Sequence, residues 1–74
     1  MIVAGTRDAV LNQVQAVNIH GTILYDLAYT HVGETQPRQA RLGSESLYPE
    51  PQSGDLIRVQ YMMNVATTVE RRTR

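Results

Sequence analysis

The stretch that decides the fold is 22–32, Thr22-Ile23-Leu24-Tyr25-Asp26-Leu27-Ala28-Tyr29-Thr30-His31-Val32. Ile23, Tyr25, Leu27 and Tyr29 fall on one side of an extended chain, while Thr22, Leu24, Asp26, Ala28 and Thr30 fall on the other. A period of two with one polar-leaning face describes a half-buried strand. Aromatic and β-branched residues suit such a pleated surface. His20-Gly21 before it and Val32-Gly33-Glu34 after it read as turns, with Pro37 beyond.

Working outward, the next strand is 56–62 or 56–63. Ile57, Val59 and Tyr61 point one way, and Arg58 and Gln60 the other. The preceding segment, Pro49-Glu50-Pro51-Gln52-Ser53-Gly54-Asp55, is barred from helix because its prolines lack donors and restrict their neighbours. A third strand is expected over 65–70, with Val65, Thr67 and Val69 on one face. Met63-Asn64 would make a tight hairpin turn or a bulge, since asparagine tolerates positive φ, the alternative being one long bent strand over 56–70. A short strand over 39–42 is expected to pair with 22–32, placing Arg41 among the outer residues.

The segment 9–19 admits two readings. As a helix over 7–18, Val10, Val14 and Val17 make an i, i+4, i+7 stripe with Thr6 as N-cap. As a strand its alternation slips once, which a bulge would absorb. The valines, the asparagines and the short join to 22–32 favour strand.

Four or five short strands separated by Gly/Pro turns predict a mainly β fold. A single small domain of 1–74 is expected, a barrel or rolled antiparallel sheet of the SH3-like or OB-like size class, ending in a frayed tail at 71–74. Closing a sheet removes exposed edges, which so small a chain can hide in few other ways.

Composition limits the chemistry. The chain has 74 residues, no cysteine and two histidines. Disulfides, thiolate metal sites and a cysteine nucleophile are therefore excluded. Domains this small are commonly reinforced by disulfides, a metal or a partner subunit. Self-association is the reinforcement left, standing level with a domain that folds alone. His20 and His31 would lie about 35 Å apart on a straight strand, too far to share a metal. Spacing places no two carboxylates together for acid–base work. The nucleophile elbow, phosphate loop and dinucleotide fingerprint are missing. The expectation is a non-enzymatic protein without a cofactor. No apolar run approaches the roughly 20 residues of a membrane span, and the first residues lack a signal-like leader. A soluble, cytoplasmic protein is expected.

Seven acidic residues balance seven basic ones, and every basic residue is arginine. With no Phe or Trp present, Tyr25, Tyr29 and Tyr61 are expected to supply the bulk of the core. The functional expectation is a protein-interaction or structural module that associates with itself or another protein through a β-edge or an apolar sheet face. Leu24, Ala28, Met62 and Met63, opposite the core face, are candidates for an apolar patch. The alternative is a nucleic-acid binder using Arg38, Arg41, Arg58, Arg71, Arg72 and Arg74, which requires those arginines to converge on one face. Asp26 is expected to pair with Arg41 or Arg58 across neighbouring strands.

Overall fold

The structure is a computed structural model that describes residues 3–72. Five strands follow in chain order: β1 (Ala4–Ile19), β2 (Thr22–His31), β3 (Arg38–Gly43), β4 (Leu56–Met62) and β5 (Val65–Arg71), with one 3-10 turn at Ser44–Ser46 after β3. They form one antiparallel sheet in the order β3-β2-β1-β4-β5. The sheet is rolled, so that β3 and β5 come into contact, but no ladder joins them and the roll stays open.

The first strand is long enough to serve two partners. Ala4 to Val10 pair with β4, and Ala9 to Ile19 pair with β2. The helical reading of 7–18 is therefore overturned. A bulge between Leu11 and Gln13 inserts one extra residue and restores the alternation. Ala9 and Leu11 face inward before it, and Val14 and Ala16 share a face with Leu27 and Tyr25 after it. In a helix Val14 and Val17 would lie on one stripe; in the strand they lie on opposite faces. The turn 53–55 pins the bulge: Gly54 N–H donates to Leu11 O (2.7 Å), Leu11 N–H to Asp55 O (2.9 Å) and Ser53 Oγ to Asn12 O (2.9 Å).

The core is the inner face of the roll. Leu11, Leu27, Tyr29, Ile57, Val59 and Val69 are almost fully buried, with Ala9, Leu42 and Tyr61 closing around them. Each fully buried large apolar side chain contributes about 1.5–3 kcal/mol relative to exposure. The long connection from β3 to β4 crosses one end of the roll and lays Leu47 and Tyr48 on this core, with Leu47 bridging Val69 in parallel.

Two expectations change in β5. Val65 and Thr67 are exposed and Ala66 turns inward instead, while Val69 is buried. The cause is a second bulge: Gln60 pairs with Thr68 but Tyr61 pairs with Ala66, leaving Thr67 as the extra residue. The expected frayed tail also does not begin at 71. The strand runs through Arg71, and Arg72 N–H donates to Leu56 O at 2.9 Å. Thr73 and Arg74 lie outside the described residues.

Candidate interaction edge

A strand has two edges of backbone donors and acceptors, and each must be paired or solvated. One edge of β1 is met by β2 over its second half. The other is met by β4 only as far as Val10 and by the 53–55 turn as far as Asn12. No other strand pairs with 13–19 among the described residues, so this part of β1 has an open edge in the interior of the sheet, besides the outer edges of β3 and β5. Gln13, Gln15, Ala16 and Asn18 on this edge are exposed.

These edges differ in how they are protected. β3 is six residues long and carries Arg38 and Arg41. β5 carries its bulge, Glu70 and Arg71, and is partly covered by Leu47. Short length, charge and bulging are the usual devices that blunt an edge. The stretch 13–19 (Gln13-Val14-Gln15-Ala16-Val17-Asn18-Ile19) has no charge, no proline and no glycine. An edge of this kind is suited to receiving another strand.

Which backbone groups face outward follows from the hairpin. His20-Gly21 is a two-residue turn with φ of 53° and 87°, the pattern of a type I′ turn, and Asn18 Oδ1 accepts from Gly21 N–H at 2.8 Å. Ile19 and Thr22 close it as a hydrogen-bonded pair, so positions 13, 15, 17 and 19 bond to β2. Val14, Ala16 and Asn18 then present their N–H and C=O groups to the open edge. Beside the edge, on the outer sheet face, lies an open trough of about 460 Å³ lined by Gln13, Gln15, Asp26, Ala28, Gln39 and Arg41.

The arginines among the described residues are paired with acids. Arg41 forms a two-point pair with Asp26 (2.6 and 3.0 Å) on the outer face of β2 and β3. That hydrogen bond and charge hold the Asp26 carboxyl below its ordinary range and raise the Arg41 guanidinium. Arg58 and Arg72 both meet Asp8, at 3.2 and 3.4 Å. Arg38 and Arg7 meet Glu34 at 3.3 and 3.5 Å, and the hydrogen bond from Arg38 lowers the Glu34 carboxyl. Arg71 reaches Asp55 at 3.5 Å and lies over the Tyr48 ring at 5.2 Å. Tyr48 donates to the same carboxylate at 2.7 Å, which lowers the Asp55 carboxyl, while burial raises the phenol. Each described arginine thus has a carboxylate partner, and the pairs fall into four groups centred on Asp26, Asp8, Glu34 and Asp55.

The expected apolar patch is also divided. Leu24 pairs with Val17 near one end of β1, while Met62 pairs with Ala4 at the other. Met63 sits in the β4–β5 turn, 76% exposed. Leu24 and Ala28 do share the outer face of β2, opposite Val17 and Gln13 of β1.

Sequence reasoning missed one polar cluster. His31 is 1% exposed at the end of β2; its Nε2 lies 2.8 Å from Tyr61 Oη, which lies 2.7 Å from Tyr29 Oη. Its Nδ1 faces Glu34 Oε1 at 3.3 Å, off the line of a hydrogen bond. The chain of contacts is complete when Nδ1 carries the proton, Tyr61 donates to Nε2, and Tyr29 donates to Tyr61. Burial lowers the His31 imidazole, and Arg38 adds to this, so the ring is neutral near pH 7. Burial also raises the Tyr29 phenol. The inward position of His31 was legible, since it continues the series Leu27, Tyr29, but its partner Tyr61 was not.

Among the described residues, no group of three or more His, Cys, Asp or Glu side chains is placed to hold a metal ion. Among the same residues no helix is long and apolar enough to cross a membrane. Comparison with known proteins finds no family model, curated protein or solved structure that matches the chain.

Proposed function

We propose that this chain is a non-enzymatic interaction module that associates with its own kind by strand addition at the open edge of β1. The observation that carries this reading is the uncharged, proline-free edge over 13–19, left uncovered because β1 outruns β4. Backbone pairing at such an edge supplies affinity, and alternate side chains supply specificity. A balanced formal charge removes the long-range repulsion that would oppose association of identical chains. The paired arginines support the same reading, since each arginine among the described residues has a carboxylate beside it to offset its charge.

The test is light scattering after size exclusion over a dilution series, on the native chain and on Gln15→Lys/Val17→Lys. The native chain is expected to move from dimer or larger to monomer on dilution. The double variant is expected to stay monomeric at least tenfold higher in concentration, with an unchanged β spectrum, because edge lysines repel an incoming strand. A native chain that is monomeric at every concentration overturns the reading. So does a variant that associates as well as the native chain.

A further inference from the structure

We infer that the occupant of the open edge is the same edge of a second copy, running antiparallel about a two-fold axis at Ala16. This rests on the reading of 13–19 as the association surface and specifies its partner and register.

Three observations carry it. The first is the direction of the backbone groups. Val14, Ala16 and Asn18 face the open edge, because the alternate positions bond to β2. Antiparallel strands satisfy one another when outward-facing residues meet outward-facing residues. An axis at Ala16 achieves this over the whole stretch. Ala16 exchanges both backbone bonds with Ala16 of the second copy, and Val14 exchanges both with Asn18, twice by symmetry.

The second is the limit on sliding. Leu11 and Asn12 are already bonded to the 53–55 turn. Moving the axis to Gln15 would bring Asn18 and Ile19 of the second copy against Asn12 and Leu11, where that turn sits. Moving it to Val17 would give up pairs at the far end and bring the His20-Gly21 turn opposite Val14. The axis at Ala16 is the register that uses all of 13–19 and stops where the turn begins.

The third is side-chain compatibility. A two-fold axis places the same patch against itself, so any charge on it would meet a like charge. This edge has none. The residue at the axis is alanine, whose small side chain leaves room for its own copy. On the inner face Val14 would stand beside Asn18. On the outer face Gln15 would stand beside Val17, and Gln13 beside Ile19. The pairing would join two sheets into one, with the Gln13 and Gln15 troughs on the same side of the joint.

The absence of native cysteine makes the register directly measurable. Gln15 and Val17 would form a non-hydrogen-bonded pair with Cα atoms about 4.5 Å apart. That lies within the roughly 4.4–6.8 Å a disulfide spans. Gln15 and Gln15 of the second copy would be diagonal neighbours at about 7–8 Å, beyond easy bridging. Gln15→Cys and Val17→Cys chains are therefore mixed, oxidised mildly and analysed by mass spectrometry. The mixed disulfide is expected to exceed either self-disulfide at least tenfold over a statistical mixture. Hydrogen exchange on the native chain is read alongside, with no substitution. The amides of Val14, Ala16 and Asn18 are expected to gain protection as concentration rises.

The outcomes separate the two claims. A native chain that never associates overturns the proposed function, and this inference with it. A native chain that associates while Gln15→Cys bridges mainly to itself moves the axis to Gln15 and overturns the register alone. Association without any bridge, and without protection at the three amides, places the interface elsewhere and overturns the edge pairing.

Discussion

Protonating His31 would place a cation among Arg7, Arg38 and buried phenols, with Glu34 as the opposing charge. The folded imidazole is lowered below its ordinary 6.5, so the unfolded chain binds the proton more readily. The contribution of neutral His31 to stability is therefore complete above about pH 6.5 and lost as pH falls through the folded value. The carboxyls of Asp26, Glu34 and Asp55 are lowered as well, so their contributions are present above their ordinary 3.8–4.5 and lost in a separate, more acidic window. Urea midpoints at pH 7 and pH 5 separate the two effects. The native chain is expected to lose stability between these values, and His31→Gln is expected to lose much less. Equal losses would show that the buried imidazole does not govern this window. The face occupied by His31 was readable from the alternation along 22–32. Its partner was not, because Tyr61 lies thirty positions away and meets it only through the roll.

At the scale of elements, the turns carry the least favourable local conformations. Met63 and Asn64 form the β4–β5 turn with φ of 53° and 66°, and neither is glycine. A non-glycine residue in this region costs roughly 1–2 kcal/mol, least for asparagine. Met63→Asn with Asn64→Gly supplies the type I′ preference and is expected to add about 1 kcal/mol. For a domain this size that is about 4–8 °C in Tm. Gly21→Ala, at φ 87°, is expected to change Tm in the opposite direction. Thermal unfolding followed by circular dichroism measures both; no gain from the first pair would mean that other contacts set the turn. The hairpin at Met63-Asn64 and the strand at 39–42 were legible because turn chemistry is local. The inner face of β5 was not. A strict alternation selects Val65 and Thr67, but the bulge at Thr67 transfers burial to Ala66, which no local preference identifies.

At the scale of the whole molecule, charge pairing decides what the surface presents. With the described arginines each beside a carboxylate, single-stranded oligonucleotides at low salt are expected to bind no more tightly than about 10⁻⁴ M, the weak end of non-specific contact. Fluorescence anisotropy across a salt series checks this, and tight binding that weakens steeply with salt would restore the nucleic-acid reading. The sequence by itself determined a mainly β chain, its hairpin turns, the core strands over 22–32 and from 56 to 62 or 63, and a chemistry without thiols. These follow from side-chain alternation and turn residues, which act over a few positions. Only the tertiary structure decided that 4–19 is one bulged strand rather than a helix, that each described arginine finds an acid, and that β1 outruns β4. Those outcomes depend on which distant segments stand side by side. The edge over 13–19 is uncharged in the sequence, but it is open only because the neighbouring strand stops short.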